Sequence, residues 1–280
     1  MGQRITTQVA SFSDGLPYNR MGDGERPLIV FQGLLPDPGP MTGMTEAMIL
    51  RLFRPLVPHY TIYVVNRKPG LAPQTTLADM ADDYATMIRR EFDGPVDVVG
   101  LSTGGSIAQI FAAEHPELVD RLVIYSSAYW LGDAGRAFQR RMAVLSAKRR
   151  WIAVMAESFG FMFLPRRGIL HGVTKPLAWL VGLLSAAFVR APADLGDYIV
   201  TIEAEDTFDF RSRLGEIRAP TLVIGGGRDP FYSPELSRET ADGIPNARLT
   251  FDAKAGHAPS NASTARELLA FLGRHEAPAA

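Results

Sequence analysis

Short runs of apolar residues alternate along the chain with longer segments in which apolar residues recur every three or four positions. The short runs predict buried strands, and the longer segments predict helices that bury one face. This alternation is typical of βαβ units, in which crossover helices join parallel strands. The chain is therefore predicted to form a mostly parallel, doubly wound α/β sheet with helices on both faces.

The predicted elements can be placed by residue number. Strands are expected at 28–31, 61–65, 96–99, 122–125 and 221–224, with weaker signals at 5–11, 18–21 and 248–251. Helical spacing occurs at 44–56, 77–91, 106–114 and 264–272. In the last of these segments Thr264 and Glu267 have the spacing of a capping box, which predicts that this helix begins beside Thr264.

The alternation stops at Ala128 and resumes after about Arg211, and helical, aromatic-rich sequence lies between. We therefore predict a core domain of residues 1–127 and 212–280 and an inserted helical subdomain of residues 128–211. Most aromatic residues of such an insert fill its own core, but some could line an apolar substrate pocket. Trp130 and His171 are the candidate pocket residues of the insert, with Arg166 as a further polar contact.

The composition and the residue spacing exclude several kinds of binding and catalytic site. The 29 basic and 30 acidic residues give a net charge of −1, so no field is expected that would hold a nucleic acid. The chain has no cysteine, which excludes disulfides, thiolate zinc sites and a cysteine nucleophile. The histidines lack the spacing of a zinc site, and Gly225–Gly227 leads into Arg228 and Asp229, not into the glycine-rich helix start of a dinucleotide site. We expect no metal and no cofactor.

Neither a secretory signal nor a membrane span is expected. Residues 1–15 contain no apolar run that could serve as a signal-peptide core. The longest apolar stretch, 176–189, is interrupted by Gly182 and Ser185 and is shorter than the roughly 20 residues that a membrane helix needs. These features favour a cytoplasmic location, and the oligomeric state stays open.

The strongest local signal is Gly100-Leu101-Ser102-Thr103-Gly104, which follows a predicted strand and precedes a predicted helix. Such a turn places its central residue in a strained conformation, and glycines on either side remove Cβ atoms that would collide. Ser102 is therefore the candidate nucleophile. The alternative is an ordinary helix start, since serine and glycine are common there.

A serine hydroxyl needs a base to take its proton and a third group to orient that base. Among the five histidines, His257 lies in a loop between the last predicted strand and the last predicted helix. Asp229 occupies the equivalent place after the preceding strand. Because these loops lie at one edge of a parallel sheet, Ser102, Asp229 and His257 are expected to meet there.

In these motifs the sequence resembles the α/β-hydrolase family, in which nucleophile, acid and histidine follow in this chain order. The resemblance implies an oxyanion hole formed by the backbone N–H groups of Thr103 and Leu34. It also implies a helical cap inserted after the sixth strand. Gln32 departs from the histidine that the family commonly has before the donating loop, and it is a candidate pocket residue.

The resemblance implies a serine hydrolase that cleaves a carboxylic ester with an apolar group through an acyl-enzyme intermediate. The same three residues could instead support C–C bond hydrolysis, acyl transfer or cofactor-free perhydrolysis, because a fold does not fix the reaction. A further alternative is a catalytically silent protein that binds a hydrophobic ligand. In either case the expected partner is a small apolar molecule.

Overall fold

The structure is a computed structural model and describes residues 7–163, 171–188, 191–257 and 262–273. All eight predicted strands are present in it. They are β1 (Gln8–Ser11), β2 (Pro17–Met21), β3 (Arg26–Phe31), β4 (Tyr60–Val65), β5 (Val96–Leu101), β6 (Val119–Tyr125), β7 (Thr221–Gly226) and β8 (Ala247–Asp252).

The strands form a single sheet in the order β1-β2-β4-β3-β5-β6-β7-β8. From β4 to β8 every pairing is parallel, whereas β2 pairs antiparallel with both β1 and β4. The prediction of a mostly parallel α/β sheet is confirmed. In consequence, the loops that follow β3, β5, β6, β7 and β8 all leave the sheet at one edge.

Helices join and cover these strands. They are α1 (Gly43–Phe53), α2 (Leu77–Glu91), α3 (Thr103–Glu114), α4 (Asp133–Ala147), α5 (Trp151–Phe163), α6 (His171–Phe188), α7 (Gly196–Asp206), α8 (Pro234–Gly243) and α9 (Ala262–Leu272). Among the described residues, no helix is long and apolar enough to cross a membrane.

Three helices differ from the sequence expectations, two in where they begin and one in being present at all. Helix α3 begins at Thr103, three residues before the predicted start, because its glycines pack tightly against the sheet. Helix α8 was not predicted, although Ser233 caps it by accepting a hydrogen bond from the N–H of Leu236. Helix α9 begins at Ala262, so Thr264 lies inside the helix and is buried. The capping-box prediction was wrong, because the N–H groups that Thr264 would have capped are already inside the helix.

The two faces of the sheet are covered by different helices, because successive strand residues point to opposite sides. On β3, Leu28 and Val30 pack in the core beneath α1 and α9. Ile29 and Phe31, one position along, pack in the core beneath α2, α3 and α8. The sheet is thus doubly wound, as its apolar runs predict.

Helices α4 to α7 lie between β6 and β7, where the sequence pattern predicts an insertion. They have a small core of their own, in which Met142 and Val154 pack with Tyr198 and Ile202. Helices α5 and α6 approach closely at Gly182, where an added Cβ would lie 2.6 Å from the Cβ of Ala156. The exact limits of the subdomain, 128 and 211, stay a prediction.

Candidate active site

Ser102 lies in a sharp turn between β5 and α3, with φ 51° and ψ −122°. A positive φ is unfavourable for a residue with a Cβ and persists only where the surroundings hold it. The N–H of Ser102 donates to the carbonyl oxygen of Tyr125 on β6 at 2.9 Å, and its own carbonyl accepts from the N–H of Gly105 at 2.7 Å. The strained conformation is therefore held from the sheet and from the helix.

Glycines allow this turn to pack against the sheet. A Cβ on Gly104 would lie 2.1 Å from the carbonyl oxygen of Phe31, and one on Gly105 would lie 2.4 Å from the Cβ of Ser127. A Cβ on Gly100 would lie 2.5 Å from the Cα of Gly105. Since real Cβ atoms do not approach other atoms this closely, the helix that follows Ser102 can take this position only with glycine at these sites.

The structure brings Ser102, His257 and Asp229 together. His257 Nε2 lies 3.0 Å from Ser102 Oγ, and His257 Nδ1 lies 2.8 Å from Asp229 Oδ2. Because a carboxylate only accepts hydrogen bonds, Nδ1 carries the imidazole proton of the neutral ring and Nε2 is free to accept from the Ser102 hydroxyl. The side chain of Asp229 is 1% exposed and that of His257 13% exposed, so this chain of hydrogen bonds is largely shielded from solvent.

The loop after β7 fixes the Asp229 carboxylate. Its Oδ1 accepts from the backbone N–H groups of Phe231 and Tyr232 at 2.8 and 3.2 Å, which leaves Oδ2 for His257. The ring of Phe231 also packs on the imidazole, with centroids 4.7 Å apart. Asp229 and Phe231 together therefore hold the His257 ring in one orientation.

The loop after β3 reaches the same turn. A Cβ on Gly33 would lie 3.2 Å from the Cβ of Ser102, so the backbone before Leu34 passes directly beside the serine. Thr103 is the first residue of α3, and the N–H of a first helical residue has no acceptor within its helix. The loop that carries Leu34 and the first residue of α3, Thr103, both lie beside Ser102, and the role of their backbone N–H groups in an oxyanion hole stays a prediction.

A cavity of about 360 Å³ opens over Ser102 and His257. Its walls come from the loop after β3, from α1, and from α4, α5 and α7 of the insert. Its apolar lining includes Leu34, Leu35, Pro36, Met48, Ile49, Leu52, Leu101, Tyr125, Phe138, Val154, Met155, Met162, Tyr198 and Phe231. Among the described residues that line it there is no aspartate, glutamate, lysine or arginine. The cavity therefore suits a neutral, largely apolar molecule.

The predicted pocket residues have different outcomes. Gln32 lines the cavity, as expected. Trp130 does not line it, and this prediction was wrong, because Trp130 forms a β-bridge with Asp209 and its ring lies under the guanidinium of Arg136 at 4.7 Å. His171 begins α6, but its side chain lies outside what the structure describes, as does all of Arg166.

The sequence model of the alpha/beta hydrolase family matches residues 38–270, which is most of the chain. The chain belongs to this family. It is therefore an enzyme of the hydrolase type, and its mostly parallel sheet, its helices on both faces and its serine turn are those expected from the sequence.

Named relatives of this α/β hydrolase share part of its sequence. A candidate carbamate hydrolase, RutD, of Variovorax paradoxus is 29% identical over 238 residues, which are 79% of this chain and 84% of that protein. A pimeloyl-[acyl-carrier protein] methyl ester esterase of Neisseria meningitidis is 28% identical over 182 residues, 62% of this chain and 67% of that protein.

Solved structures show the same fold. The crystal structure of the enol-lactonase from Burkholderia xenovorans is similar with a TM-score of 0.73 and 21% sequence identity. The similarity covers 95% of this chain and all of the lactonase chain. The names of these three proteins give different substrates, which are a carbamate, a methyl ester and an enol-lactone.

One buried residue of this α/β hydrolase, Glu205, was not predicted from the sequence. Glu205, on α7 of the insert, is 1% exposed and accepts hydrogen bonds from four neutral donors. Thr103 Oγ1 and Ser106 Oγ of α3 lie 2.6 and 2.9 Å from its oxygens, Gln139 Nε2 of α4 lies at 2.8 Å and the hydroxyl of Tyr232 at 3.1 Å.

The position of Glu205 links the insert to the first turn of the helix that begins after Ser102. A carboxylate is favourable there, because the N-terminus of a helix carries a partial positive charge. The sequence indicates this position only through helical spacing, which places Thr201, Ile202 and Glu205 on one face. In the structure all three residues are buried. A glutamate in an insert is normally solvent-exposed, so the sequence favours a surface position.

Proposed function

We propose that this α/β hydrolase is a serine hydrolase that cleaves carboxylic esters with an apolar group. The observation that carries the proposal is the position of His257 between Ser102 Oγ, at 3.0 Å, and Asp229 Oδ2, at 2.8 Å. This is the arrangement in which a histidine can take a serine proton while a carboxylate fixes its tautomer. The named esterase relative supports the same reaction class.

In the proposed reaction, Ser102 Oγ attacks the ester carbonyl carbon while its proton passes to His257 Nε2. The tetrahedral intermediate then collapses, the C–O bond to the alcohol breaks, and Nε2 returns the proton to the leaving alcohol oxygen. An acyl group now sits on Ser102 Oγ. A water molecule gives a proton to Nε2 as its oxygen attacks the acyl carbon, and Ser102 Oγ regains that proton when the acid leaves.

Negative charge develops on the carbonyl oxygen in both halves of this reaction. We assign its stabilisation to the backbone N–H groups of Thr103, which directly follows Ser102, and of Leu34, which follows Gly33 in the loop beside Ser102. A single donor of this kind accounts for about 10²- to 10³-fold in turnover in enzymes where it has been removed. Because backbone groups serve here, Gln32 in place of the family's common histidine leaves both donors present.

The cavity supports an apolar substrate, because its lining is mostly aliphatic, aromatic and methionine side chains. Phe138 and Gln139 of α4 and Val154 and Met155 of α5 form part of its wall. We therefore propose that residues 128–211 act as the cap of the site. The lack of cysteine suits a reducing compartment, and we propose a cytoplasmic location.

The test is labelling by a fluorophosphonate probe, which reacts with a serine activated by a histidine and not with ordinary serines. We expect mass mapping to find the label on Ser102, together with hydrolysis of a short p-nitrophenyl ester. Ser102→Ala should abolish both, whereas Ser13→Ala, at an exposed serine that bonds Glu91, should abolish neither. Label on other serines only, or no label on folded protein, would contradict the proposal.

A further inference from the structure

Gln139 gives the apolar cavity a polar group of fixed orientation. Its side chain lines the cavity from α4 and is only 4% exposed. Its Nε2 donates to Glu205 Oε2 at 2.8 Å. Because a carboxylate accepts hydrogen bonds and does not donate them, Glu205 determines which end of the amide is nitrogen and which is oxygen.

The other end of this amide has no partner. Within the part of the chain that the structure describes, Gln139 Oε1 is buried and receives no hydrogen bond. Gln32, which lines the same cavity from the loop after β3, also has a buried Oε1 without a donor. A buried acceptor without a donor is unfavourable, so native proteins rarely retain one unless a ligand or water satisfies it.

The donors that surround Glu205 do not serve Gln139 Oε1. Glu205 is occupied by hydroxyl groups of Thr103, Ser106 and Tyr232 besides the Gln139 amide, so none of these donors is directed at Gln139 Oε1. The described lining of the cavity contains no lysine or arginine that could turn towards it.

We propose that Gln139 is a specificity-determining residue that accepts a hydrogen bond from a neutral O–H or N–H group of the substrate, with Gln32 as a second acceptor. The preferred substrates are then esters whose apolar acyl chain carries a hydroxyl or amide N–H group within reach of Ser102. Ammonium groups are disfavoured, because an apolar cavity without a facing carboxylate does not repay their desolvation. This inference rests on the proposed ester hydrolysis at Ser102.

The test compares matched esters in which one hydroxyl group is replaced by a methyl group. The substrates are p-nitrophenyl hexanoates that carry the hydroxyl or the methyl group at carbon 2, 3 or 6. Where that carbon is chiral, each enantiomer is measured separately. Burial alone favours the methyl compound at every position. We expect kcat/KM to favour the hydroxyl compound by about tenfold or more at one position, because only it satisfies the Gln139 oxygen.

Gln139→Leu and Gln139→Met remove the acceptor and keep a side chain of similar size. At the position that the wild type prefers, we expect both variants to favour the methyl compound. Melting temperatures check that each variant folds. If neither variant folds, the wild-type preference between hydroxyl and methyl compounds decides the question alone. A wild-type preference for methyl at all three positions, or a hydroxyl preference that survives in a folded variant, would overturn the inference.

Binding of the same ester pairs to Ser102→Ala protein, measured by calorimetry, separates this inference from the proposed function. A hydroxyl preference in binding, with no hydrolysis by the wild type, would refute ester hydrolysis and support the role of Gln139. Hydrolysis by the wild type without a hydroxyl preference in either assay would refute the role of Gln139 alone.

Discussion

Replacing Glu205 with leucine should destabilise the fold strongly, although the two side chains are of similar size. The four donors that now bond the carboxylate would lose their acceptor inside the protein. Ser106 can turn to the carbonyl of Ser102, one helical turn earlier, and Tyr232 lies close enough to Ser127 to bond it instead.

Among the described residues, the hydroxyl of Thr103 and the amide nitrogen of Gln139 each donate only to Glu205. A buried polar group left without a partner costs about 1–3 kcal/mol. Two of them therefore lower the free energy of unfolding by about 2–6 kcal/mol, a large part of the 5–15 kcal/mol that is typical of a whole domain.

The measurement is urea unfolding followed by tryptophan fluorescence and circular dichroism. Glu203 provides the matched control, because it is a glutamate on the same helix, two residues away, and exposed. We expect Glu203→Leu to change stability by about 0.5 kcal/mol or less. If Glu205→Leu were no more destabilising than Glu203→Leu, the four hydrogen bonds would contribute nothing net and the reasoning would be refuted.

Three further predictions concern the site and one helix end. Asp229→Asn should lower turnover by about 10²- to 10⁴-fold, because the imidazole loses its correct tautomer; near-normal kinetics would move the acid role elsewhere, with Asp252 the next residue to test. Over esters from acetate to decanoate, kcat/KM should rise with each methylene and then level off when the cavity is full. The rise corresponds to an activation free energy lower by up to about 0.8 kcal/mol per methylene, whereas a flat series would exclude an apolar acyl site. Thr76→Ala should cost about 1 kcal/mol at neutral pH, because Thr76 and Asp79 form the capping box of α2. Hydrogen bonds from the Thr76 backbone and hydroxyl lower the pKa of Asp79 below 3.8, so the part of this stability that comes from bonds to the carboxylate is present above pH 3.8 and lost as the pH falls through the lowered pKa. Urea unfolding of both proteins at pH 7 and pH 2.5 should show the difference shrinking, and a constant difference would show that the Thr76 hydroxyl does not stabilise the Asp79 carboxylate.

Features that depend on local sequence were predictable here. The apolar runs at 28–31 and 221–224 coincide with β3 and β7, because a strand buried on both faces has to be continuously apolar. The serine turn was predictable because Gly100 and Gly104 are required by contacts to the backbone that follows and to β3. The approach of His257 to Asp229 follows from strand order, since β7 and β8 are neighbours.

Features that depend on tertiary contacts were not predictable. Trp130 was predicted to be a pocket residue because of its type, but whether it faces the cavity or Arg136 depends on how the insert packs on the sheet. Glu205 is charged and lies in a helix with exposed neighbours, so nothing local distinguishes it from Glu203. Its burial depends on Thr103, about 100 positions away in sequence, which no local pattern can relate to it.

The distribution of the site along the chain makes it a reporter of complete folding. Ser102 and His257 are separated by 155 positions, and β6 and β7 lie between their strands in the sheet. The hydrogen bond between them can form only after β6, β7 and β8 have been added to β5 in order, a set of contacts with high sequence separation that form slowly. A partly folded chain can contain the strained serine turn but not its histidine. During refolding, reactivity of Ser102 should therefore appear last, after helical circular dichroism has recovered.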